Sequence, residues 1–328
     1  MQKLILRGLA ALGILALATW LAFRFSPWPG SLIIRRTFAR EGARMATALQ
    51  PHVPAGIIAQ RDIAYAPSDP DARLDVFRPV GAGPLPTVVW IHGGAWVAGS
   101  KDEIANYLQV LAGQGFTVVG VDYSLAPGAH YPTPVRQVNE ALRYLVAHAA
   151  ALGIDTLQLY LAGDSGGAQL AAQLALLLRD PRYAQDMGMV PSIAGDRIRG
   201  VVLFCGPYDV DAVQLDGAFG DFLRTVLWAY SGRRDFQADT TLRQISVVNY
   251  VGTTFPPTFI SVGNADPLAP QSRALARALS GHDVYVDTLF FPSGHPTPLP
   301  HEYQFNLDLP EGRLALDRTV AFLRARTQ

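Results

Sequence analysis

Cysteine is almost missing. Cys205 stands alone in 328 residues, so no intramolecular disulfide can staple the chain and no thiolate cluster can hold a metal. Its place in the apolar run Val201-Val202-Leu203-Phe204-Cys205 suits a buried structural thiol. Net charge is missing as well: 27 basic residues balance 27 acidic ones, which excludes the one-sided field that draws nucleic acid or an acidic partner. Internal repeats and low-complexity tracts are absent, and the seven histidines are scattered. No metal or cofactor is expected.

Long hydrophobic runs are missing with one exception. From Leu4 to Phe23 the chain is apolar apart from Arg7 and Thr19, with Trp20 near the far end. That length can span a bilayer, and tryptophan gathers at interfaces. The expectation is membrane association through a single N-terminal pass over residues 1–25. A cleaved export signal is the rival, since Ala16-Leu17-Ala18 fits a small-residue cleavage pattern. The arginines at 24, 35, 36, 40 and 44 outnumber Lys3 and Arg7, which by the positive-inside rule argues for a cytoplasmic body. Those arginines also fit an amphipathic connector over 26–56, because Ile34, Phe38, Met45 and Leu49 share a face opposite Arg36, Arg40 and Arg44. Such a helix would lie on a membrane, cover an active site or dock on its own protein.

Apolar residues are plentiful, at 49% with 10% aromatic, enough for a large core, and α/β chains of this length often stay one domain. Over 57–328 short β-branched runs alternate with helical ones. Strands are expected at Asp62–Tyr65, Leu74–Phe77, Thr87–Ile91, Thr117–Asp122, Leu157–Ala162, Gly200–Cys205, Thr258–Val262 and Val284–Phe291. Helices are expected at Glu103–Gln114, Pro134–Ala150, Gly166–Leu178, Pro270–Leu279 and Glu311–Arg326. The first two strands pair as a hairpin, and the alternation gives an α/β fold: a mostly parallel sheet of about eight strands wrapped by helices. Between Pro207 and Pro256 no strand shows, but aromatics recur. This stretch reads either as a cap over the strand ends or as a helical excursion packed on the sheet.

The chemistry concentrates at strand ends. Gly163-Asp164-Ser165-Gly166-Gly167 follows a strand and opens an alanine- and leucine-rich helix. A G-x-S-x-G in that setting is a nucleophile elbow: the serine sits in a strained turn at a helix N-terminus, and side chains on the flanking glycines would strike backbone. Upstream, Trp90-Ile91-His92-Gly93-Gly94-Ala95-Trp96 turns from strand into a glycine loop able to aim N–H groups at an oxyanion; His92 would anchor that loop. Asp266, in the strand-end loop Gly263-Asn264-Ala265-Asp266-Pro267-Leu268, is the preferred acid, and Asp209 the rival, though Gly206-Pro207-Tyr208-Asp209 reads more easily as a turn. Two histidines follow the last strand, His295 and His301; His295 has the shorter loop expected there. The order Ser…Asp…His is the one elbow hydrolases use.

Taken together, His92-Gly93-Gly94, Asp122-Tyr123-Ser124-Leu125-Ala126-Pro127, Gly163-Asp164-Ser165-Gly166-Gly167 and Asp266-Pro267-Leu268 resemble the hormone-sensitive-lipase-like and acetyl-esterase branch of the α/β-hydrolases. The resemblance implies a serine carboxylesterase for short- to medium-chain acyl esters. In it Ser165 attacks, Asp266 orients a histidine, and Gly93, Gly94 and Gly166 donate to the oxyanion. His301-Glu302-Tyr303 is similar to the family's histidine-x-aromatic pattern and makes His301 the preferred base, with His295 as alternative. Ala95-Trp96 replaces the third glycine of the usual motif, as in feruloyl-esterase-type and kynurenine-formamidase-type members. An amidase or arylformamidase is therefore the alternative enzyme, and a non-catalytic hydrolase-fold binding protein the alternative of another class.

Overall fold

The computed structural model describes residues 2–327. Eight strands, β1 (Ile57–Ala64), β2 (Arg73–Pro79), β3 (Leu85–Ile91), β4 (Thr117–Val121), β5 (Ile154–Asp164), β6 (Ile198–Phe204), β7 (Thr258–Val262) and β8 (Val286–Phe290), form one sheet in the order β1-β2-β4-β3-β5-β6-β7-β8. β2 runs antiparallel to β1 and β4, and all other pairs are parallel. The helices are α1 (Gln2–Phe25), α2 (Trp28–Leu49), α3 (Ala105–Ala112), α4 (Thr133–Ala147), α5 (Ala149–Leu152), α6 (Ser165–Arg179), α7 (Pro181–Asp186), α8 (Gly217–Ser231), α9 (Ala269–Gly281) and α10 (Pro310–Arg324). This is the α/β-hydrolase fold.

The strands are apolar on both faces because both are covered. Side chains alternate along a strand, so Val89 and Ile91 of β3 join one core with Val119, Leu161 and helices α4, α6 and α9. Val88 and Trp90 join another with Val118, Tyr160 and helices α3 and α10. β4 and β7 are buried at every position, as strands covered on both faces should be. Each of the eight expected strands is present. β1 is longer than its sequence pattern suggests and slips register between Gln60 and Ile63. The helix expected over Pro134–Ala150 breaks at His148, and α5 ends at Gly153, which adopts the left-handed conformation that favours glycine.

The parallel strands all point their C-terminal ends at one edge, where loops gather functional groups. Two elements outside the alternation close over that edge. One is the segment between β6 and β7, which holds α8 and three 3-10 turns but no strand. The other is α2, whose Ile34 and Phe38 pack on the core while Leu49 is buried. α1 is 24 residues long with no buried residue, long and apolar enough to cross a membrane.

Candidate active site

β5 ends at Asp164 and α6 begins at Ser165, whose φ is 49°. A left-handed φ costs a non-glycine residue about 1–2 kcal/mol, and the surrounding packing holds it. A Cβ on Gly167 would lie 2.1 Å from the Ile91 carbonyl oxygen and 2.3 Å from that of His92. One on Gly163 would lie 2.6 Å from the Gly167 carbonyl. Only glycine allows β3, the elbow and α6 to approach this closely. Ser165 is thereby fixed at the first turn of α6, where the helix dipole favours negative charge.

The glycine loop is tied to the elbow through Asp164. Its Oδ1 accepts from Trp90 Nε1 at 2.7 Å and its Oδ2 from the Gly93 N–H at 2.7 Å. Burial, with the nearby Glu302 charge, pushes Asp164 up to about 7, against the pull of those two hydrogen bonds. His92 anchors the loop as expected: its ring is buried, stacks on Tyr123 at 4.4 Å, and places Nδ1 2.7 Å from the Gly93 oxygen. Tyr123 closes the knot by donating to the His92 carbonyl at 2.9 Å. The expectation that Gly93 serves an oxyanion does not fit this geometry, because its N–H already belongs to Asp164. Among the described residues the Gly94 and Ala95 N–H groups have no backbone acceptor. Both residues have positive φ, and Gly166 sits against them: a Cβ there would meet Trp96 N at 3.3 Å and Ala95 Cα at 3.4 Å.

In the wall of the cavity that Ser165 also lines, His301 Nδ1 lies 2.8 Å from Asp266 Oδ2. Asp266 is buried, and its other oxygen accepts from the Leu268 N–H at 2.7 Å, so the carboxylate is fixed at both ends. His301 Nε2 is left for another partner, with Glu302 Oε1 at 3.7 Å. Burial alone would lower the imidazole, yet Cys205 first, then the Asp266 hydrogen bond and last the Glu302 charge hold it well above its ordinary value. The Cys205 thiol lies within 4.8 Å of both, and burial pushes it up to about 11.

The competing residues are occupied elsewhere. His295 Nε2 pairs with Glu311 Oε1 at 2.8 Å, and its ring packs on Phe291. Asp209 Oδ1 accepts from the N–H groups of Asp211 and Ala212, the behaviour of a turn residue.

Ser165, Gly94, Ala95, Gly166 and His301 face one cavity of about 750 Å³. A smaller hollow of about 340 Å³ beside Arg273 and Phe291 contains none of them. The main cavity has an apolar wall from the segment after β6, including Val210, Val213, Phe222, Leu223 and Leu227. α2 adds Phe38, Gly42 and Met45, so the connector helix covers the site. Three carboxyl groups around it escaped the sequence reading: Asp164, Glu302 and Glu103, the last pushed up to about 7 by burial and by the charges of Asp164 and Asp122. Asp164 had a signal, as the variable position of the elbow. Glu103 and Glu302 had none.

Residues 74–279 match the BD-FAE family. The carboxylesterase NlhH of Mycobacterium tuberculosis is 31% identical over 277 residues, 81% of this chain and 82% of that protein. The acetyl esterase of Salmonella typhi is 29% identical over 214 residues, 63% of each chain, so the match spans just under two thirds of that relative's length. Esterase B of Lactobacillus rhamnosis superposes with a TM-score of 0.75 at 25% identity, covering 90% of this chain and 96% of its own. The chain belongs to the BD-FAE family, within the hormone-sensitive-lipase-like branch of the α/β-hydrolase serine esterases.

Proposed function

We propose that this protein hydrolyses short- to medium-chain carboxylic esters with Ser165, His301 and Asp266 as its triad. The observation that carries this is the 2.8 Å contact between His301 Nδ1 and Asp266 Oδ2 at the cavity that Ser165 also lines. Asp266 holds the imidazole with a proton on Nδ1, which leaves Nε2 to accept the Ser165 proton. Ser165 Oγ then attacks the ester carbonyl. The N–H groups of Gly94, Ala95 and Gly166 are the donors suited to the tetrahedral oxyanion, each worth about a hundred-fold in rate. The imidazolium protonates the departing alcohol, and water repeats the cycle on the acyl-enzyme to release the acid. The apolar wall after β6 suits the acyl chain. The rim of Glu41, Arg44, Asn306 and Asp308 suits the alcohol.

Membrane attachment through α1 is part of the same proposal, supported by its length, its apolar character and its full exposure. The activity is tested by assaying p-nitrophenyl acetate and N-formylkynurenine with the wild type and Ser165→Ala. Serine-dependent turnover of the acetate is expected. Turnover of N-formylkynurenine alone would make the enzyme an arylformamidase, and inertness towards both would overturn hydrolysis.

A further inference from the structure

We infer that the cavity draws its ester from the bilayer that holds α1, so that the substrate class is a membrane-soluble acyl ester; this rests on the ester-hydrolase function proposed above. α2 is at once a cavity wall and the direct continuation of α1, with only Ser26 and Pro27 between them. Its inner face carries Phe38, Gly42 and Met45 to the cavity. Arg35 locks it in place, donating from Nε to the Val97 carbonyl at 2.7 Å and from Nη2 to that of Ala126 at 2.8 Å. Val97 lies just beyond the His92–Trp96 glycine loop, so the helix leaving the membrane is clamped to the segment that follows that loop.

The outer face of α2 is built for an interface. At the α1 end Leu32 and Ile33 are 48% and 57% exposed, and Trp28, beneath the Arg35 guanidinium at 5.7 Å, is still 45% exposed. Arg36 and Arg40 follow on the same exposed side. An apolar patch bordered by arginines is the composition of a helix seated at headgroup level. From Trp28 to Phe38, the first α2 residue in the cavity wall, is about 15 Å of helix, so the site begins close to the point where the chain leaves the bilayer.

Aromatic rings of α8 lead into the cavity beside α2. α8 crosses α2 closely, since a Cβ on Gly30 would lie 2.7 Å from Thr225 Cγ2. On α8 the half-exposed Phe219 stacks on Phe222 at 5.9 Å, and Phe222 meets Phe38 at 6.0 Å. All three rings line the cavity. A hydrocarbon chain entering past the exposed Phe219 meets Phe222 and Phe38 in turn, while the polar rim of Glu41, Arg44, Asn306 and Asp308 lies ready for the alcohol part.

The test uses the full chain in phosphatidylcholine vesicles carrying didecanoylglycerol, assayed beside p-nitrophenyl acetate in the same sample. The double variant Leu32→Glu/Ile33→Glu alters exposed residues outside the cavity. It is expected to lose about tenfold or more in vesicle-borne turnover while keeping acetate hydrolysis. Ile33→Gln, a milder change, shows the same selective loss in smaller degree and serves if the double variant misfolds. Equal effects on both substrates, or a wild type that cleaves the acetate but not the vesicle-borne ester, would overturn the inference alone. A wild type inert towards both would overturn the esterase function and the inference with it.

Discussion

Asp164 Oδ2 accepts the Gly93 N–H at 2.7 Å, which couples the nucleophile's chain neighbour to the glycine loop across the β3–β5 pair. With Trp90 Nε1 on the other oxygen, the carboxyl group needs two acceptor atoms. Asparagine offers one acceptor and would turn an N–H towards a donor. Asp164→Asn should cost about 1–3 kcal/mol in stability and, by releasing the loop, about ten- to a hundred-fold in kcat. Denaturant titration and steady-state kinetics on p-nitrophenyl acetate check both.

His301 and His295 separate cleanly by mutation. His301→Ala should lower kcat by about a thousand-fold or more, the usual loss on removing a triad member. His295→Ala removes a solvent-screened pair with Glu311 at the start of α10 and should leave stability and kcat near the wild-type values. Activity lost in the His295 variant alone would exchange the two assignments.

The two aspartates divide in the same way. Asp266→Asn keeps the shape but removes the charge that fixes the imidazole, and should lower kcat by about 10⁴-fold. Asp209→Asn alters only a turn and should leave kcat near the wild-type value.

Glu302 supplies a pH signature. Its carboxylate, 3.7 Å from His301 Nε2, contributes after Cys205 and Asp266 to holding the imidazole above its ordinary value. Glu302→Gln removes negative charge, so the imidazolium gives up its proton more easily. The acidic limb of the kcat/KM profile should move to lower pH. Movement to higher pH would contradict the assigned direction.

Glu103 carries a stability signature. In the folded protein it is pushed up to about 7 by burial first and neighbouring acids second, whereas an unfolded glutamate ionises near ~4.3. Between those values the folded state keeps a proton that the unfolded state releases, so this group's contribution to stability falls as pH rises. Glu103→Gln lacks that penalty, and its Tm advantage over the wild type should grow from pH 5 to pH 8.

The fold was legible because its signals are local. Runs such as Thr117–Val121, buried at every position, announce covered parallel strands. The elbow was legible for the same reason: Gly163 and Gly167 are where backbone meets backbone, and no other residue fits. Contacts distant in sequence were not. Gly93 and Asp164 lie 71 residues apart, so the glycine whose N–H is taken could not be told from its neighbour by pattern. The segment between β6 and β7 stood out as a strandless stretch, but its internal structure of α8 and short 3-10 turns leaves no long periodicity to read. The side of α2 facing the cavity was visible as an apolar stripe, but not what it faced.

Ester hydrolysis by this site requires the Ser165 hydroxyl to be a nucleophile activated by His301. The most direct measurement is the intact mass of the protein after treatment with a fluorophosphonate probe, with the modified peptide sequenced. One adduct on Ser165, slowed by Asp266→Asn and absent in His301→Ala, is the predicted result. An unlabelled Ser165 in folded protein, or an adduct that forms as fast without His301, would contradict it.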